Sequence, residues 1–110
     1  MKPMRIDGYD FKGPYIADKG EIPAINGIAL IVSEAGEGAK IIAIHTADDL
    51  STLSSHPDLP KWKENCYHGI IDVYVYEMAP PKRDEVARMM INKRINYLTC
   101  QKVEAIVDDW

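Results

Sequence analysis

The chain has 110 residues, 46% of them apolar and 27% charged, with a formal net charge of −4. That length and apolar content suit one domain with its own core, and they exclude a disordered chain and a disulfide-stapled miniprotein. The acidic balance argues against a dedicated nucleic-acid binder, and no apolar run reaches the roughly 18 residues needed to span a bilayer.

The basic residues near Met1 are not followed by an apolar h-region, so we expect no signal peptide and a cytoplasmic location. Cys66 and Cys100 then read as reduced thiols, buried as small hydrophobes. Residues 1–26 are rich in Gly, Pro and Asp, with isolated aromatics at Tyr9, Phe11 and Tyr15. This composition predicts an irregular lead-in, pinned to the domain by its rings.

Two β-branched apolar runs follow, 27–33 and 40–45, separated by Glu34-Ala-Gly-Glu-Gly-Ala39. The two glycines supply positive φ, so the runs predict a hairpin. Both runs are apolar at successive positions, which predicts cover on both faces. Thr46 is placed to cap a short helix, with Asp48 and Asp49 in its first turn and Leu50 and Leu53 inward. His56-Pro57 ends that helix, because the residue before proline leaves the α region. A second short helix is predicted from Pro60 through Lys63.

The strongest strand signal runs from Gly69 to Met78, where Asp72, Tyr74 and Tyr76 alternate with Ile71, Val73 and Val75. Pro80-Pro81 stops it. A helix is predicted from Lys82 to Ile95, with Val86, Met89, Met90 and Ile95 inward and Arg83, Arg88, Asn92 and Lys93 around the rest. The order strand, strand, helix, strand, helix predicts an α+β domain over residues 27–101. Its sheet is small and three-stranded, a hairpin plus a central strand, covered by helices. Residues 102–110 form an acidic C-terminal tail.

Two groups of residues invite chemistry. His45, His56, Cys66 and His68 raise a zinc reading, but Cys66-Tyr-His68 is too tightly spaced for a structural-zinc pair and no second pair accompanies it. We therefore expect no metal site. Lys82, Arg83, Arg88, Lys93 and Arg94 form a local basic cluster that, with Lys61, Trp62 and Lys63, can touch phosphates. The same residues, balanced by Asp84 and Glu85, also describe an ordinary solvated helix face.

Taken in order, these segments resemble a divergent GIY-YIG nuclease-like domain. Gly27-Ile28-Ala29 aligns with the first tripeptide of that family and Ala43-Ile44-His45 with the second. Thr46-Ala-Asp-Asp-Leu50 falls where the family begins its helix, and His56 and Trp62 resemble a His…Trp pattern of small stand-alone members. Arg83-Asp-Glu-Val-Ala87 and Asn96-Tyr-Leu-Thr-Cys100 match the last helix and the loop after it. The resemblance covers residues 13–101 and rests on order and spacing. It implies a sheet with a nuclease site on one face.

The catalytic groups that the resemblance implies are missing. Ala29 and Ala43 stand where the family has tyrosines, and His45 where it has glycine. Ser51 to Leu53 supply no arginine, and Ala87 replaces the metal-binding glutamate. Magnesium needs carboxylate oxygens, and phosphodiester hydrolysis needs a positive group and an activated water. Glu85 lies two residues before Ala87, about 200° around a helix, so it faces elsewhere.

The sequence thus points to a non-catalytic, GIY-YIG-like binding domain with a degenerate site at Ala29, Ala43, His45 and Ala87. Its candidate binding residues are His45, His56, Trp62, Arg83, Arg88 and Lys93. A protein or small ligand is favoured over nucleic acid as partner, and no cofactor is expected. The alternatives are a divergent endonuclease using Mg or Mn, and a homodimer with Tyr74, Tyr76 and Trp110 near the contact.

Overall fold

The computed structural model describes residues 4–16, 19–35, 38–57, 59–64 and 71–94. Five strands are formed: β1 (Met4–Ile6), β2 (Tyr9–Ile16), β3 (Gly27–Ala35), β4 (Gly38–Ala47) and β5 (Asp72–Glu77). They pair antiparallel in the order β1-β2-β5-β3-β4, and the sheet curls into a half-barrel. A 3₁₀ helix (Leu50–Ser55) and α1 (Leu59–Glu64) follow β4, and α2 (Lys82–Lys93) follows β5.

The expected three-stranded sheet is therefore too small. Both extra strands come from the lead-in whose composition suggested irregular backbone. Asp7-Gly8 turns β1 into β2, with φ of 53° and 88° at the two residues. An Asp-Gly pair accepts those angles at little cost, as two-residue hairpins require. β2 then runs alongside β5. Its Gly13-Pro14 falls where the register shifts between Lys12 and Tyr15, at a β-bulge, a place where a sheet tolerates proline. Glycine and proline made the segment look broken, although Tyr9, Asp10, Phe11 and Lys12 alternate inward and outward.

β5 lies in the middle of the sheet, between β2 and β3. Its alternation divides the core into two layers. Ile71, Val73 and Val75 enter one layer with Ala29, Ile31, Leu50, Leu53 and Trp62. Tyr74 enters the other with Phe11, Ile28, Leu30, Val86 and Met90. The 3₁₀ helix and α1 cover the first layer and α2 covers the second, as two-faced apolar strands require.

β4 also carries a bulge. Ile31 pairs with Ala43 and Val32 with Ile41, so Ile42 is one residue extra. The insertion turns the neighbours Ile42 and Ala43 into the same layer, while Ile41 and Ile44 reach the other.

Two details of the helices differ from expectation. Asp49, not Thr46, caps the 3₁₀ helix, and its carboxylate accepts from the Ser51 amide at 3.0 Å. Thr46 stays in β4 opposite Ile28, because the hairpin extends to Ala47. In α2 the inward stripe is Val86, Ala87, Met90 and Ile91, whereas Met89 is 62% exposed. Val86 and Met90 stand four apart on one face, and Met89 lies outside that arc. Ile95, Cys66, His68, Cys100 and the acidic tail fall outside the described residues. Among the described residues, no helix is long and apolar enough to cross a membrane.

Val73 is fully buried and its backbone lies between Tyr15 and Ile31. Val73→Asp would place an unpaired charge there, at a cost of several kcal/mol, on the order of a small domain's whole stability. We expect the variant to lose its cooperative thermal transition. An unchanged melt would mean that β5 is not central.

Candidate functional site

The residues aligned with nuclease chemistry do not form a cleft. Ala29 and Ala43 are 0% and 3% exposed in the first core layer, against Ile31, Val73 and Leu50. Ala87 is 4% exposed in the second layer, on the inner face of α2. The sheet separates it from the other two. Glu85 is exposed in the first turn of α2, a place where the helix dipole favours an acid.

His45 is brought to His56 and Trp62. It lies in β4 opposite Ala29. Its ring meets His56 edge-on with centroids 4.7 Å apart, and His56 stacks on the Trp62 indole at 4.7 Å and 21°. His45 and Trp62 are 6.3 Å apart. His56 caps the 3₁₀ helix and Trp62 sits in α1, so the three rings tie β4 to both segments that cover the first layer. Trp62 is only 3% exposed, and an indole so covered offers no stacking face to a nucleobase. Among the described residues, no group of three or more His, Cys, Asp or Glu could hold a metal ion.

The basic cluster is divided by internal carboxylates. Arg83 Nη1 donates to Asn26 Oδ1 at 2.8 Å and to Asp48 Oδ1 at 2.9 Å, and its Nε donates to Asp84 Oδ1 at 2.9 Å. The hydrogen bond to Asp84 leads in raising the guanidinium pKa above its usual value. Arg83 thereby locks the start of α2 to the entry of β3 and the exit of β4. At the other end of α2, Arg94 holds both oxygens of Asp7, at 2.8 and 3.0 Å, with Lys93 Nζ at 3.6 Å. Lys82 and Arg88 are exposed on the outer face of the helix. Tyr74 is buried, and the Tyr76 ring packs against Tyr9 at 5.1 Å and Phe11 at 5.6 Å. The two tyrosines weighed for a dimer contact therefore face inward, and Trp110 lies outside the described residues.

Sequence reasoning missed a cleft of about 330 Å³ beside β2. Val75 lies in it, with Tyr15, Pro23 and Ile25 alongside, and Asp10, Lys12 and Glu77 supply its charges. The β2 bulge builds it. Lys12 pairs with Val75 and Tyr15 with Val73, so two residues of β2 oppose Tyr74 alone. A regular strand would send Lys12 and Tyr15, three apart, to opposite faces; the extra residue puts both on one face. The available signal was Gly13-Pro14 inside an otherwise alternating segment. No family model, curated protein or solved structure matches this chain.

Two substitutions test these contacts. Removing the imidazole in His56→Ala should cost about 1 kcal/mol of stacking and shift Trp62 emission to longer wavelength, read by melting and fluorescence. The hydrogen bond from Arg94 leads in holding the Asp7 carboxyl below the usual carboxylate range. Its stabilising effect is complete above the ordinary carboxylate range and is lost as pH falls through the lowered folded-state pKa. Asp7→Asn, which keeps a residue tolerant of positive φ, should lower stability at pH 7 by up to about 1 kcal/mol, or roughly 4 °C in melting temperature. The gap between variant and parent should close in acid. A gap independent of pH would show that the charge of Asp7 plays no part.

Proposed function

We propose that the chain is a non-catalytic binding domain, related in pattern to GIY-YIG nucleases and lacking their chemistry. The observation that most supports the absence of catalysis is the packing at Ala29, Ala43 and Ala87. All three are buried among apolar side chains, and they are divided between two sides of the sheet. A tyrosine or glutamate restored at any of them would meet a filled core, where added volume or an unpaired charge costs stability.

The partner we favour is a protein or small ligand. Among the described residues, Arg83, Lys93 and Arg94 hold internal carboxylates, and the net charge of −4 repels a polyanion at long range. Few phosphate contacts remain possible, so any binding to nucleic acid should be weak and only shallowly dependent on salt.

The test is incubation of purified protein with duplex and single-stranded DNA in Mg²⁺ or Mn²⁺. We expect no cleavage. Cutting that survives repurification and disappears with one substitution at His45 or Glu85 would overturn the proposal.

A further inference from the structure

We propose that the cleft beside the β2 bulge binds a small zwitterion, an apolar amino acid or a compound with the same neighbouring amine and carboxylate. Its charges suggest this class. Asp10 is paired with Arg5 at 3.1 Å. Among the described residues that line the cleft, that leaves one cation, Lys12, and one anion, Glu77. Among the described residues, neither of these makes an ion pair, and the Tyr15 hydroxyl has no hydrogen-bond partner. A site with one unpaired charge of each sign matches a ligand that is neutral overall and carries both.

The placement suits such a ligand. Lys12 pairs with Val75, and Glu77 lies two residues further along β5 on the same face. Diagonal neighbours across a strand pair sit about 7 Å apart, within reach of both long side chains. A carboxylate at Lys12 and an ammonium at Glu77 can therefore share one ligand carbon. The ligand's apolar group then lies over Val75, against Tyr15 and Ile25. The volume of about 330 Å³ is at the small end of ligand sites, which suits an amino acid and not a nucleotide. Gly13 is part of the construction. A Cβ there would meet the Val73 carbonyl oxygen at 2.7 Å, so only glycine lets β2 approach β5 where the bulge forms.

The site uses none of Ala29, Ala43 and Ala87 to hold its ligand, although Val75 pairs with Ala29 across the sheet, and it does not depend on the absence of cleavage. A chain that cut DNA would overturn the first proposal and leave this one standing. The experiment is an NMR titration of the ¹⁵N-labelled full chain with three probes: L-phenylalanine, phenethylamine and 3-phenylpropionate. The last two lack the carboxylate and the amine respectively. L-phenylalanine should bind saturably with a dissociation constant on the order of 1 mM, and should shift residues 10–16, 23–25 and 73–77.

Lys12→Ala should weaken L-phenylalanine and 3-phenylpropionate by about tenfold and leave phenethylamine unchanged. Glu77→Gln should weaken L-phenylalanine and phenethylamine by about tenfold and leave 3-phenylpropionate unchanged. Both residues are exposed, and melts that match the parent establish that the variants fold. The proposal is overturned by non-saturable shifts, by shifts elsewhere, or by variants that affect all three probes alike.

Discussion

The fold depends on how closely two strands approach the backbone of β5. A Cβ on Gly13 would meet the Val73 carbonyl oxygen at 2.7 Å, and one on Gly27 would overlap the Tyr76 carbonyl. Glycine at both positions lets β2 and β3 lie against the two edges of β5 without displacing it. A strand paired on both edges has no exposed backbone to satisfy, which places β5 at the centre of the sheet. The register slip at Gly13-Pro14 accompanies the same approach, and it turns Lys12 and Tyr15 together onto one face. The contact that completes the sheet thus also shapes the cleft.

From β5 the core divides cleanly. Val73 and Val75 face the 3₁₀ helix and α1, and Tyr74 faces α2. The second bulge, at Ile42, gives the first layer two consecutive side chains from β4. Ala29 and Ala43 are small because this layer is full, with Ile42, Leu50, Leu53 and Trp62 around them. The alanines at aligned catalytic positions are thus explained by packing alone. The rings of His45, His56 and Trp62 belong to the same construction, closing the edge of that layer.

Charge holds the helices in place. Arg83 gathers Asn26, Asp48 and Asp84 around one guanidinium, and Arg94 closes on Asp7 with both nitrogens. These bridges join the two ends of α2 to three separate parts of the sheet. Each is modest where solvent reaches it, but the Arg83 side chain is only 11% exposed and its fork is largely occupied. A helix that reads as a basic stripe is in this way turned inward at both ends.

Local signals were enough for several elements. The β3–β4 hairpin, the C-terminal end of the 3₁₀ helix at His56-Pro57, the start of α2 and the two-faced alternation of β5 were all legible, because each rests on neighbours in sequence. The inward position of Val86 and Met90 followed from helical period, while Met89 did not, since the buried arc runs through Val86, Ala87, Met90 and Ile91 and is centred on the side away from it. Tertiary structure alone decided the rest. β2 became a strand because β5 offered an open edge, and β1 because β2 then offered one, which outweighed the glycines and proline that mark a loop. The cleft exists because a bulge changed the facing of Lys12, and a bulge is defined only against the strand it pairs with. The basic residues found carboxylates far along the chain, Arg83 at a separation of 35 positions and Arg94 at 87. Sequence by itself determined which segments could fold locally, because periodicity and capping act over a few residues; pairing edges, bulge facing and charge partners were decided only when distant segments met.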